Sequence, residues 1–396
     1  MTAESYPFTP IERLDLHPRF AQLRDQCPVA RVSMPYGGEA WLLTRYADIR
    51  QALADPRFSR AATVDREDIP RTSPLPQAGG GILALDPPEH SRVRRLTAKA
   101  FTMRNIELLR PRVQQIVDDL LDTMLAAGSP ADLAEALAWP LPITVICEML
   151  GVPFADRDSF RAWTDLSIAM RGPDPEAIKD ARDQLWDYLA GLVGRRRAEP
   201  ADDLLSELVR ARDEADNLSE EELVSLATTL LVAGHETTAN QLGNSVFTLL
   251  TRRELWEQLV ADPALAPNAV EELLRVTPLG VAPAFPRVAI EDLELGGQTI
   301  RAGETVAPYL AAGNRDAAVY DRPDEIDFTR TEIPHVSFGH GAHHCLGAPL
   351  ARLELTVTLD TLVRRLPELR LAVPADAVTW REDRLIRGVR ALPVAW

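Results

Sequence analysis

Cys345 stands in a segment that reads Phe338-Gly339-His340-Gly341-Ala342-His343-His344-Cys345-Leu346-Gly347-Ala348-Pro349-Leu350-Ala351-Arg352. Glycines at 339, 341 and 347 permit tight turns and close approach of a large flat ligand. Residues 349–363 read as a helix with a proline near its first turn. A thiolate just ahead of such a helix is favoured by the helix dipole and by the unpaired amides there. Two plainer readings stand beside this one. The cysteine is buried and inert beside a glycine-rich turn, or His343, His344 and Cys345 hold zinc. Three adjacent ligands do not readily surround a tetrahedral ion, and no C-x-x-C partner exists.

Ala233-Gly234-His235-Glu236-Thr237-Thr238 is the second candidate. Gly234 leaves room for a small ligand beside the chain. In a helix, the Thr237 hydroxyl reaches the carbonyl of Ala233 and loosens the ladder. Glu236 beside Thr237 offers a carboxylate and a hydroxyl to relay protons. The plain alternative is a polar kink without chemistry. Glu272 and Arg275 share one helix face and form an ion pair, as on many surface helices. His90 and Arg94 also share a face, and arginine is a donor fork for carboxylates. Taken singly, each is a solvated surface residue.

These groups need a scaffold, and the pattern makes it mainly helical. Ser219 and Glu222 form a capping box. Helix signals run from there to about Arg252, roughly 45 Å at 1.5 Å per residue. Polar groups interrupt the centre of this longest helix, and each would cost free energy if buried unpaired. Apolar residues at helical spacing predict a helix over 105–127. Two more are expected over 155–170 and 176–197, parted by Gly172-Pro173-Asp174-Pro175. A strand is expected over Trp41 to Tyr46, and two strands joined at Gly296-Gly297 over Arg287 to Val306. Residues 70–88, rich in proline and glycine, read as a long irregular loop of the lid or binding kind, or as a surface linker. Length alone suggests two or three domains, although no internal repeat or linker marks a boundary between them.

The 396 residues carry 43 Lys+Arg and 59 Asp+Glu, a formal charge of −16, which argues against a nucleic-acid-coating protein. The cysteines Cys27, Cys147 and Cys345 are three and widely spaced, so no disulfide framework is expected. A cytoplasmic location follows as the expectation. No signal peptide and no apolar run long enough to span a membrane is read.

Phe-Gly-x-Gly-x-His-x-Cys-x-Gly resembles the haem-ligand loop of the cytochrome P-450 superfamily, with every fixed position matched. Ala-Gly-x-Glu-Thr is similar to that family's oxygen-binding helix motif, and it lies about 110 residues before the cysteine. The resemblance implies the mainly α P-450 fold with a small β portion, as one domain over residues 1–396 in place of the two or three that length suggests. It implies haem b as cofactor, with Cys345 as the axial thiolate to iron, pushing electron density towards O–O cleavage. Phe338, Gly339 and Gly347 of the loop, and Ala233 and Gly234 of the helix, would line the haem, with Gly234 leaving room over the iron. Glu236 and Thr237 would be the catalytic pair. His90, Arg94, Arg287 and His343 match positions that contact haem propionates. Glu272 and Arg275 resemble the family's structural pair behind the cysteine loop. Many relatives carry a further arginine where Glu325 stands, and Arg330 is the candidate to serve instead.

The resemblance further implies a soluble bacterial monooxygenase, a monomer, using O2 and NAD(P)H-derived electrons passed through a ferredoxin reductase and a ferredoxin. The basic stretch Arg95, Lys99, Arg104, Arg110 and Arg112 on an acidic chain suits an acidic donor, or is a solvated face. The substrate pocket is expected at Leu83, Met170, Leu230, Ala233, Thr237, Val281, Ala282, Ala284, Leu385 and Ile386. These small and apolar residues suit a bulky, largely neutral ligand. The chain looks most like members that tailor macrolides and other polyketides, as hydroxylases or epoxidases. Oxidative coupling, desaturation or peroxide-driven oxidation of a terpenoid, steroid or aromatic is the alternative. A non-enzymatic helical binder or zinc protein is the third. His235, His340 and His344 have no role assigned.

Overall fold

The computed structural model describes residues 3–9, 13–72, 74, 76–77, 79, 81–167, 174–215, 218–280, 283, 285–381, 384 and 386–396. The helices that position the site are α1 (Tyr46–Ala54), α2 (Glu89–Ala98), α3 (Arg110–Ala127), α4 (Pro140–Leu150), α5 (Arg157–Ser167), α6 (Pro175–Ala198), α7 (Leu204–Ala215), α8 (Glu220–Thr251), α9 (Ala266–Val276) and α10 (Ala348–Arg365). The mainly α expectation with a small β portion is met.

Helix α8 is the long helix expected from its cap. The Ser219 hydroxyl accepts from the Glu222 amide (3.0 Å), and the Glu222 carboxylate accepts from the Ser219 amide (2.8 Å). Its 32 residues span about 48 Å. From Thr238 to Leu250 every residue is buried, because the helix runs through the core rather than over it. It packs on α4, where Leu141 to Cys147 are likewise buried. Each large apolar side chain removed from water there, such as Leu231 or Ile146, contributes about 1.5–3 kcal/mol.

In α3 the buried residues Val113, Ile116, Val117, Leu121 and Met124 keep helical spacing, and Gly128 ends the helix at φ +94°. The single helix expected over 105–127 is in fact two, Met103–Glu107 and α3. Pro111 explains the break: lacking an amide, it fits a first turn and not a helix interior. The helices expected over 155–170 and 176–197 are α5 and α6, although residues 168–170 lie outside those described.

Among the described residues, six short strands form the main sheet in the order Glu4–Ser5, Val29–Ser33, Glu39–Leu43, Thr305–Pro308, Arg287–Ala289, Phe58–Ser59. The strand expected over 41–46 is Glu39–Leu43; Tyr46 begins α1, its amide held by Asp316 Oδ2 at 2.9 Å. The region 287–306 holds four strands rather than two. Leu293–Leu295 and Gln298–Ile300 form the hairpin at Gly296-Gly297, whose positive φ angles (+55° and +79°) fit a two-residue turn. The flanking strands pair with each other in the main sheet instead.

Behind the cysteine loop, Glu272 and Arg275 pair through two bonds of 2.6 and 2.7 Å with both side chains 0% exposed. Arg275 also donates to the carbonyls of Asn314 (3.1 Å), Pro323 (2.6 Å) and Glu325 (2.7 Å). Glu272 Oε1 accepts from Arg330 Nε (2.9 Å) and the Asp327 amide (3.0 Å). Arg330 therefore does occupy the third place in the cluster, while the Glu325 side chain turns outward to Arg322 at 2.6 Å. Removing one member of a buried pair strands the other charge and costs about 3–5 kcal/mol. Glu272→Ala should lower unfolding free energy by that amount; a thermal unfolding midpoint within a degree or two of wild type would contradict it.

Candidate haem-thiolate site

The cysteine loop is built from positive-φ glycines and a helix start. Gly339 and Gly341 sit at φ +74° and +70°. A Cβ on Gly341 would lie 2.4 Å from the Leu53 carbonyl oxygen, so the loop rests directly on the end of α1. The Cys345 amide donates to the Phe338 carbonyl (2.8 Å), closing the loop across seven residues. Arg352, one turn into α10, stacks over the Phe338 ring at 4.6 Å and pairs with Glu271 at 2.6 Å. His335 Nε2 lies 3.1 Å from the same carboxylate. Burial pushes the Glu271 carboxyl up, but His335 and Arg352 outweigh it and hold it down at about 2.

Cys345 itself is exposed, three residues ahead of α10. Burial pushes its thiol up, while the amides of Gly347 and Ala348 and the charges of Arg94 and Arg352 act the other way. Bonding to a metal would deprotonate it outright, and the same two amides would then serve the thiolate. A Cβ at Gly347 would meet nothing within 4 Å, so the backbone here lies open.

Beside the loop lies a cationic socket. Arg94 Nη2 donates to the His344 carbonyl at 2.6 Å. The rings of His90 and His343 stand 4.2 Å apart. Arg287 is buried, reaching only the Phe58 carbonyl at 3.4 Å, and its Nε has no partner among the described residues. His343 Nε2 is likewise buried and unpartnered. Burial, His90, Arg287 and Arg60 press His343 down to about 3. Burial also lowers Arg287 to about 10 and Arg60 to about 9, and Asp86 is the acid among these groups. A cavity of about 370 Å³ is lined by His90, Ser91, Arg94, Arg95, Ala98, Gly341 and Ala342. Clustered cations with orphaned donors are what an anionic group needs, so the socket fits the propionates of haem. Arg60 was not foreseen from the sequence. It lies far from every motif, and its contacts — the Leu83 carbonyl at 3.1 Å, the Pro286 carbonyl and Gln77 — are all tertiary.

On α8, Ala233 is exposed at the centre of the helix, just before the stretch that is wholly buried, and Thr237, half-buried, faces the same side one turn on. Thr237 Oγ1 donates to the Ala233 carbonyl at 2.8 Å, the bond the spacing suggested. Gly234 is placed differently from the reading above. A Cβ there would lie 3.0 Å from Ile146 Cγ1, so its missing side chain lets α4 and α8 approach closely. Glu236 is 2% exposed and points away from Thr237 to Arg381 (3.3 Å), which also pairs with Asp165 (3.0 Å). Sequence reasoning found neither Asp165 nor Arg381, since nothing in their local spacing marks a partnership across more than 140 residues. Burial and Asp165 push the Glu236 carboxyl up to about 7, against the pull of Arg381 and Arg384. His235 bonds the Leu231 carbonyl (2.8 Å) and Thr164 Oγ1 (3.1 Å). His340 meets Arg50 at 3.4 Å, and His344 engages through its carbonyl.

Of the expected pocket residues, Leu83 belongs to a short 3-10 turn that rests beside Ser225 and Thr229 of α8. Leu230 is half-buried on α8, and Ile386 bridges Gly280. Met170, Val281, Ala282, Ala284 and Leu385 lie outside the described residues. The zinc reading finds no support: no group of three metal-binding side chains occurs among the described residues.

A thiol at a helix start, a cationic socket and a hydroxyl-bearing helix define a haem-thiolate protein. The profile of the family described as cytochrome P450 matches residues 156–369. The chain is 51% identical to the mycinamicin IV hydroxylase/epoxidase of Micromonospora griseorubida, covering 99% of this chain and 98% of that one. It is 49% identical to the nocardicin C N-oxygenase of Nocardia uniformis subsp. tsuyamanensis, with the same coverage. The crystal structure of HinD with NMFT and NO superposes with a TM-score of 0.96 at 47% identity over the whole of both chains. The chain belongs to the cytochrome P450 family, and it is a monooxygenase by that membership.

The Glu236 carboxyl has a testable pH signature. The folded chain holds its proton up to about 7, whereas the unfolded chain releases it near 4.5. Its contribution to stability is thus full below about 4.5 and is lost as pH rises through 7. Glu236→Gln should flatten the decline in melting temperature between about pH 5 and 7.5; an unchanged slope would contradict this.

Proposed function

We propose that this enzyme inserts one oxygen atom from O2 into a C–H or C=C bond of a bulky, largely apolar natural product, a macrolide or other polyketide of antibiotic biosynthesis. The observation that carries the reading is the Ala233–Thr237 face of α8, exposed at Ala233 and half-buried at Thr237 where the helix runs on into the core, in the same molecule as an exposed cysteine at a helix start. A relative named for hydroxylation and epoxidation of mycinamicin IV, at 51% identity, supports the substrate class. The overall balance is substrate, O2, two electrons and two protons giving oxygenated substrate and water.

Haem held by Cys345 would supply the activation of O2. The rest falls to the chain. His90, Arg94, Arg287 and His343, with Arg60, would hold the haem propionates. Thr237 presents a hydroxyl on the Ala233 face and keeps it aimed by its bond to Ala233. Glu236, turned to Arg381 on the buried side of the helix, holds a proton that would reach the Thr237 side through water. Leu83, Leu230, Ala233 and Ile386 offer apolar surface, so shape rather than charge selects the ligand.

Electrons come from NAD(P)H through a ferredoxin reductase and a ferredoxin. Arg95, Lys99 and Arg104 are exposed and carry no ion pair among the described residues, and Met103 and Leu108 beside them are 63% and 73% exposed. A basic rim around apolar residues suits an acidic iron–sulfur protein. Arg110 and Arg112 support this less, being paired with Glu107 and Glu148. The chain acts as one domain in the cytoplasm, and no described helix is long and apolar enough to cross a membrane.

Two measurements test the reading. The reduced, carbon-monoxide-bound protein should show the strongly red-shifted Soret band of thiolate ligation, and Cys345→Ala should abolish it; a band that survives the substitution refutes the assignment. Thr237→Ala should lower product formed per electron pair several-fold while leaving that band in place. Unchanged coupling would remove Thr237 from the relay.

A further inference from the structure

Glu236 shares its cation. Arg381 reaches it with Nη1 (3.3 Å) and reaches Asp165 with Nη2 (3.0 Å), so one guanidinium serves two carboxylates. The guanidinium is held over the Trp139 ring at 4.4 Å, and the Arg381 amide donates to the Gly388 carbonyl at 2.9 Å. It therefore stays between the two acids. Asp165 lies on α5, and its neighbour Thr164 meets His235 at 3.1 Å. Two consecutive residues of α5 thus engage two consecutive residues of α8, the second of these contacts through Arg381. That fixes the register of one helix on the other at the centre of the site.

The groups that act on Glu236 are Asp165, Arg381 and Arg384, and the adjacent His235 is kept neutral by burial. Arg384 also acts on Glu236, but Arg381 is the cation that bonds both acids, and one guanidinium shared between two carboxylates holds each less firmly than it would hold one alone. Whatever share Asp165 takes is lost to Glu236, which then keeps its proton. We propose that Arg381 is a positioning residue for Glu236, and that Asp165, by competing for it, sets whether Glu236 stands protonated as the donor. This rests on the relay reading of Glu236 given above.

The experiment is a pH titration of the intact haem-loaded enzyme by infrared spectroscopy, following the protonated-carboxyl band that Glu236→Gln removes. Coupling of electrons to product is measured over the same pH range. Asp165→Asn should lower the midpoint and Arg381→Gln should raise it, each by about one pH unit. Arg381→Lys should return it towards wild type. The pH profile of coupling should move with the band in each variant. Midpoints that stay put, or that move the same way in both, overturn the proposal. If Arg381→Gln does not fold, Asp165→Asn alone decides, since a rise or no change overturns it. Should the midpoints move as expected while Glu236→Gln leaves coupling intact, the positioning stands and the relay reading fails.

Discussion

Two ions taken wholly out of water organise the back of this molecule. Glu272 and Arg275 are both completely buried, and neither is tolerable there without a full set of partners. Arg275 finds them in the carbonyls of Asn314, Pro323 and Glu325, and Glu272 in Arg330 and the Asp327 amide. Those demands pin an irregular stretch of chain to α9. The hold then passes forward. The Asn314 side chain donates to Ser337 Oγ (2.7 Å) and accepts from the Val336 amide (2.8 Å), and Ser337 Oγ donates to the Leu274 carbonyl (2.7 Å). One residue on from Val336–Ser337 begins the loop that ends at Cys345. Glu271, adjacent to Glu272, grips Arg352 on the far side of that loop. A single turn of α9 thereby sets both ends of the segment that carries the sulfur.

The cationic socket beside the cysteine loop follows the opposite logic. Arg60, Arg94, Arg287, His90 and His343 crowd together around Asp86, and burial depresses every one of those five bases. Such a cluster is an unfavourable arrangement until an anion joins it. The socket leaves donors on Arg287 and His343 unpartnered among the described residues, whereas the α9 cluster is already satisfied by the protein alone.

Much of this was legible in the sequence because it is local. The capping box at Ser219, the Thr237–Ala233 bond, the Glu272–Arg275 pair and the glycine turns of the cysteine loop each depend on residues within a few positions, and helical spacing shows them. What stayed hidden is tertiary. Arg60, Asp165 and Arg381 meet partners far along the chain, and their own surroundings in sequence are unremarkable surface patterns. Gly234 shows the subtler limit. Its type and position were legible, but the direction of its missing side chain depends on where Ile146 lies. The break before Pro111 and the four short strands over 287–308 were blurred for another reason, since apolar runs that short fit either period.

The contact of Gly341 with the end of α1 has a bearing on how the chain is made. The backbone at Leu53 that supports the cysteine loop leaves the ribosome almost three hundred residues before the loop itself, and Arg60, His90 and Arg94 follow it but still precede the cysteine by about 250 residues or more. The early-synthesised part presents a bare shelf and a knot of positive charge well before the sulfur arrives. A group that needs both the early cations and Cys345 can be seated only once the cysteine has been made, and a chain cut short before it, however well its helices form, carries the cradle without the sulfur.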